Sequence, residues 1–69
     1  MIPLRDFLET VWKFERVHIQ LKEDNDLYSQ FYVGKGYDAL QELSAEELEA
    51  PVISYCKFLN GVYCAIELL

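Results

Sequence analysis

The dipeptide Asn60-Gly61 constrains the fold of this chain more than any other part of its sequence. It separates two runs rich in β-branched and aromatic residues, Val52–Leu59 and Val62–Leu69. Asn-Gly favours the type I′ turn, because both of its residues tolerate the positive φ angles which that turn requires. The pattern therefore predicts a β-hairpin with Asn60 and Gly61 at its tip.

The predicted turn also fixes which side chains of this hairpin share a face. One face is expected to carry the pairs Leu59–Val62, Lys57–Cys64, Tyr55–Ile66 and Ile53–Leu68. The other face carries Phe58, Tyr63 and Cys56, so both faces are largely apolar. Strands of this kind are typically covered on both sides, and we predict that these three residues form an oligomer interface. Cys56 and Cys64 point to opposite faces in this register, which argues against a disulfide between them.

A second hairpin is predicted nearer the N-terminus. Apolar and polar residues alternate over residues 14–21 and again over residues 27–33, as they do in half-buried strands. The polar segment between these runs predicts a turn. The pairs that follow from it are Leu21–Leu27, Val17–Phe31 and Arg16–Tyr32. The residues expected on the outer face, as a surface for a ligand or partner, are Arg16, His18, Tyr28, Gln30 and Tyr32.

Three segments have helical patterns. The first is predicted over residues 3–12, where the leading proline suits an opening helical turn. Its apolar stripe consists of Leu4, Phe7, Leu8 and Val11. Residues 37–43 predict a helical turn or two. Ser44 and Glu47 then fit a capping box that opens one more turn, which Pro51 must end.

Together these elements predict a single small α+β domain over residues 1–69. An N-terminal helix, a β-hairpin, a short helical connector and a second β-hairpin would form a four-stranded, mostly antiparallel sheet with helices on one side. Trp12, at the end of the first helix, is expected to cap the core. The core of so short a chain is marginal, yet its 52% apolar content exceeds what that core can bury. We therefore expect a homo-oligomer.

Charge and composition argue against several classes of function. Twelve acidic and six basic side chains give a net charge of −6, which argues against direct nucleic-acid binding by phosphate neutralisation. One histidine and two widely spaced cysteines do not resemble a metal site. No nucleophile stands at a recognisable spacing from His18, and Gly34-Lys35-Gly36 is too short for a phosphate-binding loop. We expect neither an enzyme nor a bound cofactor.

The sequence also indicates where the protein acts. No run approaches the ~18 apolar residues of a membrane span. Arg5, Asp6 and Glu9 interrupt the N-terminal segment, unlike the core of a signal peptide. We expect a protein of the host-cell cytoplasm, with reduced thiols and no membrane partner.

The connector between the two hairpins is strongly acidic. Its carboxylates are Asp38, Glu42, Glu46, Glu47 and Glu49. Such a run is usually a solvated helix face. It also suits contact with a basic protein surface, because complementary charge speeds association. The sequence leaves both interpretations open.

Several stretches of this chain follow a recurrent layout. They are LRDFLE at the start, RVHIQL, LY at the next strand, LSAEELEAPVISY and the terminal NGVYCAIEL. In this respect the chain resembles short uncharacterised accessory proteins encoded by phages and prophages of low-GC Gram-positive bacteria. The resemblance covers nearly the whole chain and carries no catalytic residues. It implies an accessory protein of a mobile element.

Three functions fit these observations. The first is inhibition of a bacterial defence factor by protein–protein binding, which the acidic balance, the aromatic outer faces and the phage-like layout favour. The second is an oligomeric sponge that sequesters a small nucleotide-like immune signal, with Arg16, His18, Tyr28 and Tyr32 on one face and Lys35 nearby. The net charge weighs against it, because a phosphate needs local positive charge. The third is a structural or regulatory phage component.

Overall fold

Seven short elements make up the chain in the computed structural model, which describes residues 1–68. They are α1 (Leu4–Thr10), β1 (Arg16–Lys22), β2 (Tyr28–Lys35), α2 (Gly36–Glu42), α3 (Ala45–Leu48), β3 (Val52–Phe58) and β4 (Gly61–Ile66). Ser44 and Glu47 form the predicted capping box at the start of α3, where each side chain accepts a hydrogen bond from the other's backbone N–H. The order of helix, hairpin, helical connector and hairpin is confirmed.

The four strands form one mixed sheet in the order β2-β1-β4-β3. Two antiparallel hairpins, β1–β2 and β3–β4, lie side by side. They are joined through β1 and β4, which run parallel at the centre of the sheet. The predicted α+β class and mostly antiparallel sheet are confirmed, with this one parallel pair added.

The helices cover one face of the sheet, and the core lies between the two layers. Its fully buried large side chains are Leu4, Leu8, Val17, Ile19 and Ile66. Leu4 and Leu8 belong to the stripe predicted for α1, and the others come from the two central strands. The connector adds Ala39 from α2 and Leu48 from α3 to the same cluster. The hydrophobic effect thus drives all three short helices, which are too short to be stable alone, onto one face.

The second hairpin turns one position earlier than the sequence predicts. Its strands close at the pair Phe58–Gly61, so Leu59 and Asn60 are the central turn residues. Neither has a positive φ, and instead Gly61 does, at 138°. The predicted type I′ turn is therefore wrong, and each residue from Ser54 to Phe58 pairs two positions away from the prediction, as Lys57 does with Val62. Because side chains alternate with a period of two, this shift leaves residues 54–58 on their predicted faces. A β-bulge between Val52 and Ser54 places Val52 opposite Ile66 in the core, and so reverses its predicted face.

The first hairpin departs further from its predicted register. Leu21 pairs with Ser29 and not with Leu27, because the turn extends to Leu27, whose backbone oxygen accepts a hydrogen bond from the Glu23 N–H. A β-bulge at Phe31 then shifts the pairing by one more residue. Beyond it Val17 pairs with Gly34 and Arg16 with Lys35. An odd shift reverses the face of every later side chain relative to the prediction.

Candidate functional site: the open face of the sheet

One face of the sheet packs against no helix, and we call it the open face. Its residues are Arg16, His18, Gln20 and Lys22 of β1, Tyr28, Gln30, Val33 and Lys35 of β2, Ser54, Cys56 and Phe58 of β3, and Tyr63 and Ala65 of β4. Side chains alternate along each strand, so these positions are set by the same periodicity that directs Val17 and Ile19 into the core.

Three aromatic rings meet near the centre of the open face. The parallel pairing of β1 and β4 places His18 beside Tyr63, and their rings stack with centroids 4.1 Å apart and planes 5° from parallel. The edge of Phe58 meets Tyr63 at 5.1 Å and 88°. Asn60 in the turn donates a hydrogen bond from Nδ2 to the Tyr63 hydroxyl at 3.1 Å. These contacts hold Tyr63 in one orientation.

A shallow groove of about 430 Å³ runs across this face beside the rings. Gln20 and Tyr28 line one side of it, and Cys56, Phe58 and Tyr63 line the other. Tyr28 and Phe58 are 52% and 53% exposed, although both are large and apolar. The groove is therefore a surface where a partner could bury aromatic area without first opening the core.

The charge on the open face differs in sign from the charge of the whole protein. None of the four strands contains an aspartate or glutamate, so the twelve acids lie in helices, turns and loops. Three bases, Arg16, Lys22 and Lys35, lie on the open face. A protein of net charge −6 thus presents a basic sheet face and an acidic helical layer.

His18 contributes its ring to this face as an aromatic surface. Its Nε2 atom is enclosed and has no hydrogen-bond partner within residues 1–68. The stack on Tyr63 is its main contact on the open face. The arrangement supplies stacking area.

Four of the five residues predicted for the ligand or partner surface lie on the open face, and Tyr32 does not. The bulge at Phe31 turns Tyr32 toward the helices, where it packs against the core. Its hydroxyl donates a hydrogen bond to the Glu42 carboxylate of α2. Burial and the Glu42 carboxylate together raise the pKa of Tyr32 to about 12. Tyr32 therefore fastens β2 to α2, and its predicted placement on the outer face is wrong.

The residues predicted as an oligomer interface, Phe58, Tyr63 and Cys56, lie on this same open face. The sequence predicts two separate surfaces because it treats each hairpin by itself. The parallel β1–β4 pair joins them into one, with His18 of the first hairpin stacked on Tyr63 of the second. No local sequence pattern encodes this pairing.

The acidic connector is engaged mainly in local contacts. Glu42 accepts the Tyr32 hydroxyl, Glu47 completes the capping box, and Glu49 forms an ion pair with Arg5. Within residues 1–68, only Asp38 and Glu46 of this set lack such a side-chain contact. These contacts favour the interpretation of the run as a solvated, structural helix face.

The two cysteines lie on opposite faces, as predicted, and both are free thiols. Cys56 is exposed on the open face, whereas Cys64 is 3% exposed and burial raises its pKa to about 12. Because only the thiolate reacts, we expect Ellman's reagent at about pH 8 to modify one thiol in the folded protein and two in denaturant. Cys56→Ser should reduce the folded count to zero. Two reactive thiols in the folded protein would contradict this placement.

The loop after α1 exposes residues that the sequence assigns to a helix end. The Thr10 hydroxyl donates a hydrogen bond to the backbone oxygen of Phe7, and α1 ends there. Trp12 is 66% exposed and meets Phe14 edge-on at 5.2 Å. The predicted role of Trp12 as a cap on the core is wrong, because the helix ends before it.

Comparison with known protein families, curated proteins and solved structures gives no match. Among residues 1–68, no helix has the length and apolar character needed to cross a membrane. The same part of the chain holds no group of three or more histidine, cysteine or carboxylate side chains placed to bind a metal ion.

Proposed function

We propose that this chain is a noncatalytic accessory protein that inhibits a bacterial defence factor by protein–protein binding, with the open face as its docking surface. The observation that carries the proposal is an uncovered sheet face with clustered, exposed aromatic rings and no carboxylate. The resemblance to phage accessory proteins supplies the context of a host-cell cytoplasm.

The open face is organised as protein interfaces usually are. Its centre is aromatic and apolar, formed by Phe58, Tyr63 and the stacked His18. Charged side chains stand at the margins, with Arg16 at one end of β1 and Lys22 at the other. Interfaces place aromatic anchors in a central patch and polar groups at the rim. The arrangement therefore supports docking of a large partner surface rather than binding of a small molecule in a cleft.

The charge of the open face favours one kind of partner. A complementary surface would have an apolar centre and acidic groups around it. A second copy of this chain would bring a second set of the same three bases, Arg16, Lys22 and Lys35, against this basic face. Like charges brought together at an interface are unfavourable. We therefore propose an acidic host protein as the occupant, in preference to a homo-oligomer through this face.

A second candidate function is the oligomeric sponge for a nucleotide-like signal. The net charge opposes this candidate, but the distribution of charge supports it, since Arg16 and Lys35 lie on a sheet face whose strands contain no acid. Stabilisation by a nucleotide distinguishes this candidate from an inhibitor that binds only protein.

The docking proposal predicts that Tyr28→Ala weakens capture of the host protein by about 2 kcal/mol, since exposed aromatic anchors dominate such interfaces. The experiment passes host lysate over immobilised protein, identifies what is retained and measures its affinity as a purified component. Tyr37→Ala is the matched control, because Tyr37 lies on α2 and is 50% exposed, against 52% for Tyr28. The captured protein should lose activity when bound.

Equal capture by the Tyr28→Ala and Tyr37→Ala proteins would contradict docking on the open face. A partner with a basic contact surface would also contradict it, because a basic surface is complementary to the acidic connector and not to the open face. Light scattering on the purified protein tests whether a second copy of this chain occupies the open face. A dimer that Phe58→Ala converts to monomer would assign the open face to a second copy of this chain.

A further inference from the structure

A basic and aromatic cluster lies at one end of the sheet, away from the centre of the open face. We call it the basic end, and its residues are Trp12, Lys13, Phe14, Arg16 and Lys35. Backbone hydrogen bonds hold the loop between α1 and β1 in place. The Gly36 N–H donates to the backbone oxygen of Glu15 at 2.9 Å, and the Tyr37 N–H donates to that of Lys13 at 3.0 Å. The cluster is thus fixed to the start of α2.

Phe14 is the centre of this cluster. The Nζ atoms of Lys13 and Lys35 lie 5.3 Å and 5.7 Å from the centroid of its ring. Trp12 makes an edge contact with the same ring. Arg16 lies opposite Lys35 in the register of β1 and β2, so these two bases are neighbours. Phe14 carries the two lysines, and Trp12 is 66% exposed, so the Trp12 ring remains available for stacking beside three cations.

The bases of the chain divide between two environments. The ion pairs within residues 1–68 use Arg5, Lys22 and Lys57. The other three bases, Lys13, Arg16 and Lys35, all lie at the basic end. Among the basic side chains of residues 1–68, those outside these ion pairs are therefore concentrated in one place.

A groove of about 290 Å³ opens at this point between the end of β2 and the loop. Phe14, Arg16, Gly34 and Lys35 line it, and Asp38 of α2 forms part of its wall. Arg16 and Lys35 are well suited to a phosphate, because charge-assisted hydrogen bonds to phosphate are strong. The Asp38 carboxylate repels an anion in this groove. Removing its charge should therefore strengthen anion binding, whereas removing a base should weaken it.

We propose that the basic end binds a nucleoside phosphate, with the phosphate at Arg16 and Lys35 and the base stacked on the exposed ring of Trp12, beside Phe14. Base–aromatic stacking adds to phosphate contacts and tolerates every base. The proposal rests on the second candidate function and specifies its site. It replaces the broader face of Arg16, His18, Tyr28 and Tyr32 with a cluster around Phe14.

The test uses the fluorescence of Trp12, the only tryptophan. The folded protein is titrated with ATP, CTP, GTP and UTP, with the matching nucleosides and inorganic phosphate as separate arms. Free tryptophan amide corrects for absorption by the nucleotides. We expect a saturable change with the triphosphates that is much weaker with nucleoside or phosphate alone and that decreases with added salt.

The variants locate the site. Arg16→Ala and Lys35→Ala should each weaken binding about tenfold, as expected for loss of a charge-assisted contact. Lys22→Ala is the matched control, since Lys22 lies at the other end of β1 and pairs with Asp26. Asp38→Asn should tighten binding several-fold because it removes a negative charge from the groove wall. Circular dichroism checks that each variant is folded.

Three results would overturn the proposal. Binding that survives Arg16→Ala and Lys35→Ala but is lost in Tyr63→Ala would move the ligand to the aromatic centre and leave the sponge function standing. No saturable change with any of the four nucleotides up to about 1 mM, the range of weak specific binding, would remove both the site and the sponge. Weaker binding in Asp38→Asn would contradict the placement of the phosphate.

Discussion

Gly61→Ala is expected to unfold most of the protein at room temperature. Gly61 has φ of 138°, which residues with a side chain rarely adopt. A Cβ atom at this position would lie 2.5 Å from the backbone oxygen of Arg16 on the neighbouring strand. Backbone strain alone costs about 1–3 kcal/mol, and the clash adds to it by separating β4 from β1. Since the core of a domain this small supplies about 3–5 kcal/mol, the loss approaches its whole stability.

Gly36→Ala is the matched control for this substitution. Its Cβ atom would meet neighbours at 3.5 Å and beyond, which is ordinary van der Waals contact. Gly36 begins α2 without a positive φ, so alanine fits there and should stabilise the protein by about 0.4–1 kcal/mol by reducing the entropy of the unfolded chain. Urea denaturation followed by circular dichroism should therefore give a midpoint equal to or above wild type. A Gly61→Ala protein within about 0.5 kcal/mol of wild type, the usual range for surface substitutions, would show that the backbone at this turn accommodates a side chain.

Leu8→Ala should cost about 2–5 kcal/mol, the range for removing a buried leucine side chain. Leu8 is 1% exposed and lies in the core between α1 and the sheet. The substitution leaves a cavity between α1 and the sheet and removes apolar contacts of both. The short helix α1 depends on these contacts to form. Chemical denaturation should show a lower midpoint, and the aromatic contacts of the sheet should weaken with it.

Leu59→Ala makes the same chemical change at an exposed position. Leu59 lies at the tip of the second hairpin, where its side chain is fully exposed. We expect its effect on the free energy of unfolding to remain within about 0.5 kcal/mol of zero. Equal losses from Leu8→Ala and Leu59→Ala would contradict the assignment of the core to the helical side of the sheet.

The periodic parts of the fold are predictable from the sequence, and the second hairpin shows why errors in its turn do little harm. The predicted register is wrong by two residues, but two is the period of a strand. Phe58, Tyr63 and Cys56 therefore remain together on one face. The capping box of Ser44 and Glu47 is predictable for a different reason, because its partners lie within one helical turn.

The first hairpin and the site itself show where sequence reasoning fails. A single extra residue at Phe31 reverses the face of Tyr32, and alternation alone does not reveal a bulge. The meeting of His18 with Tyr63 depends on a parallel pairing between distant strands, which leaves no local pattern. Sequence reasoning misses the basic end because it predicts the first helix two residues too long, which assigns Trp12 to the core.

The parallel pairing of β1 with β4 also has a consequence for how the molecule reaches its native state. Either hairpin can form from neighbouring residues, but their junction requires closure of a long loop, and such non-local contacts slow folding. The stack of His18 on Tyr63 spans this junction. The stack therefore requires the two hairpins to dock. A chain with both hairpins formed but not joined would have most of its strand structure and none of the assembled open face.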